Sequence, residues 1–176
     1  QSSNTMIIRL ARIKDLHNIM KMYKSCVMGM IAHNITQWDN KYPNQEIILK
    51  DIKNKTYFVA EKNNEIIGGI NIDKLQDEVY NTIKWNDKSD KFLVVHRLAV
   101  KEEFWNQKVG KKLMSFAENR AIKNNLSSIR LDTYSENPIA LKFYEKIGYL
   151  RLGAIDLKPG KKEYYCFEKL LFSNTN

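Results

Sequence analysis

The spacing of apolar residues along this chain changes repeatedly between a helical period and a strand period. Apolar residues three or four positions apart predict helices over residues 15–31, 44–53 and 109–125. Short apolar runs bounded by polar residues predict strands over residues 6–10, 56–61, 65–73, 92–100, 128–134, 149–155 and 163–172. This alternation of strands and helices predicts a mixed α/β layer structure.

Local signals refine the predicted strands. The segment Lys62-Asn63-Asn64 predicts a tight turn between two of them. The pair Gly68-Gly69 predicts a bend or bulge inside the second. The continuous apolar run in residues 92–100 fits a central strand that is buried on both faces. Residues 74–90 are polar, and we predict a loop with a short strand there.

One further helix has a signal at each end. Asn137 is a natural N-cap, and Pro138 fits the first helical position. Gly148 fits a C-terminal cap. The sequence therefore predicts a helix between the strands at 128–134 and 149–155.

The composition is that of a globular protein. The chain has 176 residues, of which 43% are hydrophobic and 11% aromatic, which fits one domain and argues against disorder. We interpret residues 1–5 as a remnant of expression and residues 6–176 as a single domain. No apolar run approaches the roughly 20 residues that span a bilayer. Cys26 and Cys166 lack metal or disulfide spacing, so we expect buried thiols in a reducing cytoplasm.

The formal net charge of +9 permits nucleic acid, acidic membrane or a polyphosphate as a partner. The lysines are scattered, which equally fits a solvated basic surface. No recognised nucleic-acid motif is present, so we expect neither a nucleic-acid nor a membrane partner. A local cluster of Lys108, Lys111 and Lys112 is more informative than the total charge.

This lysine cluster lies where a helix begins. The loop Trp105-Asn106-Gln107-Lys108 leads from the central strand into Val109-Gly110. The start of a helix presents unpaired backbone N–H groups and a partial positive charge, so it binds phosphates. Gly110 permits close approach of a ligand to the backbone. The alternative interpretation is an ordinary helix start with solvated lysines.

The pattern Asn137-x-x-Ala140-x-x-Phe143-Tyr144-x-x-x-Gly148-Tyr149, downstream of Arg97-Leu98-Ala99-Val100, resembles the acetyl-CoA-binding half of the GNAT superfamily of N-acetyltransferases. In element order the resemblance covers nearly the whole chain, and its specific residues lie between His96 and Tyr149. It implies a mixed, mostly antiparallel sheet flanked by helices. Two central parallel strands, 92–100 and 128–134, would splay apart, and a bulge in the first would free backbone groups for the pantetheine arm.

The resemblance also implies a set of residues that contact acetyl-CoA. These are Leu98, Ala99, Val100, Trp105, Asn106, Gln107, Lys108, Val109, Gly110, Lys111, Asn137, Ala140, Phe143 and Tyr144. The phosphate loop departs from the family pattern Gln/Arg-x-x-Gly-x-Gly/Ala. In the register we prefer, Trp105 takes the Gln/Arg position, Lys108 the first glycine and Gly110 the last. The other register begins at Gln107. In the preferred register, Lys108 needs a backbone conformation that a non-glycine residue can adopt.

The resemblance implies acetyl transfer by direct attack of a primary amine on the thioester, within a ternary complex. Tyr144 matches the family's general acid. For the base, His96 has a suitable pKa range, and Glu78 is an alternative, acting directly or through water. An ordinary hydrogen-bonded strand histidine is the other interpretation of His96. No cluster has metal-ligand spacing, so we expect no metal.

The resemblance also implies that aromatic residues in two segments line the acceptor pocket: Trp38, Tyr42, Tyr80 and Trp85. Aromatic walls suit an amine, although packing at the edge of the core explains them equally well. We expect a small-molecule amine or a peptide as the acceptor, and a monomer or a homodimer as the assembly. Two alternatives stay open, a protein or peptide N-terminal acetyltransferase and a non-catalytic acyl-CoA-binding module.

Overall fold

A computed structural model describes residues 5–171 of the chain. These residues form two compact units. The first contains the described residues up to Ile72 together with His96–Phe116, and the second contains the remainder. No helix within residues 5–171 has the length and apolar character needed to cross a membrane. The prediction of a single domain over residues 6–176 stays a prediction.

The first unit begins with three antiparallel strands and two helices. Strand β1 pairs with β2, β2 pairs with β3, and β3 lies beside a later strand, β4 (Phe92–Val100). The elements in chain order are β1 (Ile7–Leu10), a 3-10 helix (Ile13–Asp15), α1 (Leu16–Ala32), α2 (Gln45–Lys53), β2 (Tyr57–Lys62) and β3 (Glu65–Asp73). The predicted helices and strands of this region are confirmed, with ends that differ by at most one residue.

The alternation of side chains along β2 creates two layers in the first unit. Tyr57 and Val59 pack into the core that α1 and α2 form with their buried faces. Phe58 faces the opposite way, and its ring centroid lies 4.9 Å from that of Phe116, in the helix Val109–Lys123. Successive strand residues point to opposite faces, so one strand serves both layers.

Two glycines in β3 permit close packing. A Cβ atom at Gly69 would lie 2.0 Å from the Tyr57 hydroxyl oxygen. A Cβ atom at Gly68 would lie 3.1 Å from a methyl carbon of Leu113. The pairing of β2 with β3 shifts register between Ala60 and Glu61, opposite this segment, as the predicted bulge requires.

Strand β4 and helix α3 run from one unit into the other. The remaining elements are β4 (Phe92–Val100), a 3-10 helix (Glu102–Phe104), α3 (Val109–Lys123), β5 (Ser128–Tyr134), α4 (Pro138–Lys146), β6 (Leu150–Ile155) and β7 (Tyr164–Leu170). From β4 onward the strand order is β4-β5-β7-β6. The sequence predicts the strands and α-helices of this list but not the 3-10 helix, whose residues were expected to be part of a loop. Phe172, the predicted end of the last strand, lies outside the described residues.

The only parallel strand pair in the described chain joins β4 and β5. Its ladder covers Phe92–Val94 and Ser128–Arg130 and then stops, although both strands continue. On its other edge, β5 pairs antiparallel with β7 along its whole length, from Ser128 to Tyr134. The predicted mixed, mostly antiparallel sheet with two central parallel strands is therefore present.

The short strand predicted within residues 74–90 is wrong. The segment instead forms a 3-10 helix, Glu78–Thr82. The Asp77 side chain accepts a hydrogen bond from the Val79 N–H over 3.1 Å and starts this turn. Tyr80 and Trp85 are both buried, and the Trp85 indole N–H donates to the Tyr80 carbonyl over 2.9 Å. A turn that buries two aromatic residues therefore replaces the predicted strand.

Candidate active site

The last residues of β4 form the first part of the candidate site. Arg97 has a φ of 56°, which is unusual for a non-glycine residue and interrupts the regular strand. Regular strands keep every backbone group in the ladder, whereas an irregular residue releases some of them. The irregularity lies immediately before Leu98–Val100, the segment predicted to contact the pantetheine arm.

The Arg97 side chain is buried in a polar network of the first unit. Its Nε and Nη2 atoms donate to Asp51 Oδ2 and Oδ1 over 2.8 and 2.9 Å, and Nη1 donates to the Tyr42 hydroxyl over 3.2 Å. Burial lowers the pKa of the Arg97 guanidinium, but Tyr42 and Asp51 outweigh it, so the pKa lies above its usual value. The side chain is a fixed cation that uses three of its N–H donors within the protein.

The Arg97 carbonyl is bound as well. The Tyr23 hydroxyl donates to it over 2.6 Å, and the Tyr57 hydroxyl donates to Tyr23 over 2.8 Å. Both tyrosines are at most 2% exposed. Burial raises the pKa of each phenol above its ordinary value, so both stay protonated at neutral pH.

The loop after β4 is braced by Trp105. Its indole N–H donates to the Val100 carbonyl over 2.8 Å, and its ring centroid lies 5.6 Å from that of His33 at the end of α1. The Val100 carbonyl therefore already accepts a hydrogen bond from within the protein. The predicted contact of Trp105 with the cofactor stays a prediction, and the structure adds a role in holding the loop against α1.

Two residues of this loop adopt left-handed conformations. Asn106 has a φ of 69° and Lys108 a φ of 64°. Glycine adopts this region without cost, and asparagine tolerates it better than lysine does. The left-handed Lys108 occupies the position at which the preferred register places the first glycine of the family pattern, which supports that register.

Helix α3 begins directly after Lys108. The first hydrogen bond with helical i to i−4 spacing runs from the Lys112 N–H to the Lys108 carbonyl over 3.0 Å. The N–H groups of Val109, Gly110 and Lys111 therefore have no acceptor in the helix. Lys108, Lys111 and Lys112 are exposed, whereas Val109 is buried. This arrangement can bind an anion, as predicted for the diphosphate.

In the second unit, α4 starts as the sequence predicts. The Asn137 side chain accepts a hydrogen bond from the Ala140 N–H over 3.0 Å, and Pro138 follows it. Gly148 has a φ of 96° after the end of this helix, a conformation that glycine adopts readily. Asn137 is therefore an N-cap, and its predicted cofactor contact is compatible with that role.

Tyr144 lies on α4 in an aromatic cluster. Its ring centroid is 5.0 Å from that of Phe143, 5.9 Å from Tyr149 and 5.8 Å from Phe167. Within residues 5–171 no hydrogen-bond partner is found for its hydroxyl. Burial and then the negative charge of Asp132 raise the pKa of Tyr144 above its ordinary value. The hydroxyl thus stays protonated and keeps its proton available for donation.

The other residues of the second unit that were predicted at the catalytic or acceptor site are either buried or exposed. Tyr80 is 1% exposed, and its hydroxyl donates to Asp132 Oδ2 over 2.5 Å. Trp85 is buried beneath the Arg130 guanidinium, whose central carbon lies 4.4 Å from the ring centroid. Glu78 is exposed on the 3-10 helix. Contact of these residues with an acceptor stays a prediction.

The other predicted residues of the first unit surround the Arg97 network. Trp38 is buried, and its ring meets that of Tyr23 edge-on at 5.7 Å between centroids. Tyr42 is half-buried and accepts from Arg97. His96 is half-buried on β4 beside Arg97. Their roles as acceptor wall and base stay predictions.

Sequence reasoning missed Arg97, Asp51 and Tyr23 as a connected group. One signal was available for Asp51, since it lies on the same helical face as the buried Ile48 and Ile52. A carboxylate on a buried face requires a partner. The sequence offers no comparable signal for Tyr23, because a tyrosine on the apolar face of a helix is typical of a core.

The sequence profile of the Acetyltransferase (GNAT) family matches residues 14–149, and the chain belongs to this family. The chain is similar to two proteins of Bacillus subtilis (strain 168). It is 27% identical to the uncharacterized N-acetyltransferase YesJ over 135 residues, which cover 76% of this chain and 72% of YesJ. It is 25% identical to S-(2-succino)cysteine N-acetyltransferase over 129 residues, covering 71% of this chain and 73% of that protein.

A solved structure has the same fold. The PaiA N-acetyltransferase of Thermoplasma acidophilum, crystallised in complex with coenzyme A, superposes with a TM-score of 0.70 at 20% identity, covering 94% of this chain and 99% of that one. The predicted fold class and family are confirmed. The protein is an enzyme of the N-acetyltransferase type, from a family that uses acetyl-CoA. Among the described residues no group of three or more His, Cys, Asp or Glu could hold a metal ion.

Proposed function

We propose that this enzyme transfers an acetyl group from acetyl-CoA to a primary amine by direct attack within a ternary complex. Acetyl-CoA supplies an activated thioester, whose C–S bond breaks as the amine nitrogen bonds to the carbonyl carbon. The observation that carries the proposal is the turn from β4 into α3, where Lys108 is left-handed and the first N–H groups of the helix lack helical acceptors.

The chain's own groups fit a diphosphate at this turn. Backbone N–H groups at a helix start donate to phosphate oxygens, and a left-handed residue turns the preceding loop toward them. Lys108 and Lys111 add two exposed positive charges. We assign the diphosphate to the N–H groups of Val109, Gly110 and Lys111, and the pantetheine amides to the backbone near Leu98 and Ala99.

Tyr144 is the proposed donor to the leaving thiolate. An ordinary thiol has a pKa of about 8.5, below the raised pKa of Tyr144. Full proton transfer from this phenol is therefore uphill, and donation of a hydrogen bond to the developing thiolate is the role that fits. A backbone N–H near Leu98–Val100 is the proposed donor to the carbonyl oxygen as it gains negative charge.

The amine must lose a proton before or during attack. We propose His96, on β4, as the group that accepts this proton, with Glu78 or water as the alternatives. A pH profile separates them: His96→Gln should remove the limb on which activity falls as the base becomes protonated, whereas Glu78→Gln should leave that limb in place.

We propose a small amine as the acceptor, with Trp38 and Tyr42 beside it in the first unit. The B. subtilis relative that acts on S-(2-succino)cysteine acetylates an amino-acid derivative, which supports this class over a protein N-terminus. The hydroxyl of Tyr42 is held by Arg97 over 3.2 Å, so its orientation is fixed. The cytoplasmic location inferred from the sequence is part of this proposal.

Two measurements test the proposed function. Isothermal calorimetry with acetyl-CoA, CoA and ATP should show binding of the two CoA species and none of ATP. Release of free thiol from acetyl-CoA is then followed across a panel that contains amino acids, S-substituted cysteines, polyamines and short peptides with free N-termini. The expected result is turnover with a small amine.

Each other outcome points to a different function. If neither acetyl-CoA nor CoA bound to the folded protein, the proposed function would be wrong. Binding without thiol release from any acceptor would favour a non-catalytic acyl-CoA-binding module. Turnover confined to peptides would favour N-terminal acetylation.

A further inference from the structure

Arg97 is anchored at both its backbone and its side chain. The Tyr23 hydroxyl donates to its carbonyl over 2.6 Å, while its guanidinium makes two bonds to Asp51. All three residues belong to the first unit. Non-glycine residues in sparsely populated backbone regions persist where their surroundings fix them, and such residues cluster at functional sites.

The direction of the hydrogen bonds shows how Tyr23 is used. Tyr57 donates its proton to the Tyr23 oxygen over 2.8 Å, so the proton of Tyr23 is directed to the Arg97 carbonyl. Both rings are buried in the core between α1, α2 and β2. The donor is therefore rigid, and the bond it makes holds one carbonyl of β4 in a set orientation.

The held carbonyl sits where β4 changes conformation. A bulge changes which residues face each side of a strand and re-aims the groups that follow it. The residues that follow are Leu98 and Ala99. Without the Tyr23 hydroxyl, the Arg97 peptide loses this donor and can rotate toward a regular strand, which would turn the next N–H and carbonyl groups away from their present directions.

We propose that Tyr23 is a positioning residue for acetyl-CoA. It acts through Arg97, by keeping the end of β4 in the irregular conformation that presents Leu98 and Ala99 to the pantetheine arm. The inference rests on the proposed function and deepens it. It assigns a role to a helix residue that lies 74 positions before its strand partner in the sequence.

The test compares tyrosine-to-phenylalanine variants of the full chain in calorimetric titrations with acetyl-CoA and with CoA. Tyr23→Phe removes the bond to Arg97, and we expect about a fivefold weaker affinity for both, the size of one neutral hydrogen bond. Tyr57→Phe removes a hydroxyl from the same buried pair but leaves the bond from Tyr23 to Arg97, so its affinity should stay within about twofold of wild type.

Two further variants complete the set. Tyr149→Phe removes a buried hydroxyl that donates to Glu118 over 2.8 Å in the second unit, and it should bind acetyl-CoA like wild type. The double variant Tyr23→Phe, Tyr57→Phe leaves no unpaired tyrosine hydroxyl in the network. This double variant should fold even where Tyr23→Phe alone does not. Its affinity for acetyl-CoA should fall by the same factor as expected for Tyr23→Phe.

The kinetic readout distinguishes positioning from general stability. With an amine that supports turnover, Tyr23→Phe should raise KM for acetyl-CoA and leave KM for the amine unchanged, whereas a loss of stability alone lowers the folded fraction and changes neither KM. Urea unfolding should show the larger stability loss for Tyr23→Phe, which breaks two hydrogen bonds where Tyr57→Phe breaks one. Two results would overturn the inference about Tyr23 and leave the proposed function intact. One is a Tyr23→Phe variant that binds acetyl-CoA as tightly as wild type, and the other is equal weakening of acetyl-CoA binding in Tyr23→Phe and Tyr57→Phe. Failure of wild type to bind either CoA species overturns the proposed function with it.

Discussion

Arg97 and Asp51 form a two-bond ion pair in the first unit, with Arg97 Nε 2.8 Å from Asp51 Oδ2 and Nη2 2.9 Å from Oδ1. The two side chains are 11% and 8% exposed. Planar guanidinium and carboxylate groups match in this geometry, which gives stronger bonds than a single contact does. The pair fixes α2 to the irregular end of β4.

Removing the carboxylate of this pair should destabilise the fold strongly. Asp51→Ala leaves the Arg97 charge buried without its anion, and breaking such a pair costs about 3–5 kcal/mol of unfolding free energy. Urea unfolding followed by circular dichroism measures it. The control is Glu65→Ala, which breaks a more exposed ion pair with Lys101 and should cost about 0–1 kcal/mol. Equal losses in the two variants would contradict the assigned importance of Asp51.

Lys108 should be strained in its left-handed conformation, and glycine should relieve that strain. Lys108→Gly and Lys108→Ala remove the same charge, but only glycine adopts a φ of 64° without cost. Lys108→Gly should therefore be more stable than Lys108→Ala by about 1 kcal/mol. Thermal unfolding of the two variants measures the difference. An alanine variant as stable as the glycine variant would show that the loop relaxes when the lysine is removed.

The regular elements were predictable because their signals are local. Strands β4 and β5 have the predicted ends, since polar residues such as Lys91 and Lys101 bound the apolar run of β4. The strand predicted within residues 74–90 does not form, because the Asp77 side chain accepts a hydrogen bond from the Val79 N–H and caps a 3-10 helix there. Its short apolar signal did not distinguish a strand from a turn that buries Tyr80.

The candidate site was predictable where the motif is local and not where it depends on distant partners. Asn137 and Tyr144 lie within one helix and its cap, so their spacing is visible in the sequence. Arg97 and Asp51 are 46 positions apart, and only the fold brings them together. The sequence indicated that Lys108 stands at a glycine position of the family pattern, but it predicted neither the left-handed φ of Lys108 nor the bond from Tyr23 to Arg97.

Both cysteines should resist thiol reagents in the folded protein. Cys26 and Cys166 are free and buried. Burial raises the pKa of Cys26 to about 11 and that of Cys166 to about 12. The reactive thiolate is therefore scarce at pH 8. Ellman's reagent should react slowly with native protein and rapidly with both thiols in guanidinium chloride. Rapid reaction of one thiol in native protein would contradict its burial and would also add background to the thiol-release assay.

The Arg9–Asp15 pair should make the fold less stable in acid. Asp15 accepts from Arg9 over 2.8 and 3.0 Å and from the Arg12 N–H over 2.7 Å, and these bonds lower its pKa below the ordinary 3.8 despite its burial. Because the folded pKa is depressed, the stability it contributes is present above the unfolded value and is lost as the pH falls through the folded value.

An Asp15→Asn variant tests this dependence. The stability difference between wild type and Asp15→Asn should be constant between pH 5 and pH 7, where the carboxylate is ionised in both states. It should shrink as the pH falls below about 4. Urea midpoints at a series of pH values measure the difference. A difference that stays constant down to pH 2 would show that the Asp15 charge contributes nothing to the fold.

Tyr144 should contribute to turnover and not to binding. Tyr144→Phe removes a hydroxyl that has no hydrogen-bond partner among the described residues, so the unfolding free energy should change little. If the hydroxyl donates to the leaving thiolate, kcat should fall about a hundredfold, the low end of the range for positioned proton donors. KM for acetyl-CoA should stay near the wild-type value, because the interaction forms mainly in the transition state.

The pH profile and a second tyrosine give this test its control. Burial and the charge of Asp132 raise the pKa of Tyr144, so wild-type kcat should show no loss with a midpoint near 10, the ordinary value for tyrosine. Tyr149→Phe removes the hydroxyl bonded to Glu118 and should lower stability while leaving kcat unchanged. A Tyr144→Phe enzyme that keeps its full rate with chemistry limiting would exclude the hydroxyl as donor. The thiolate would then have to depart with help from solvent or from backbone N–H groups alone.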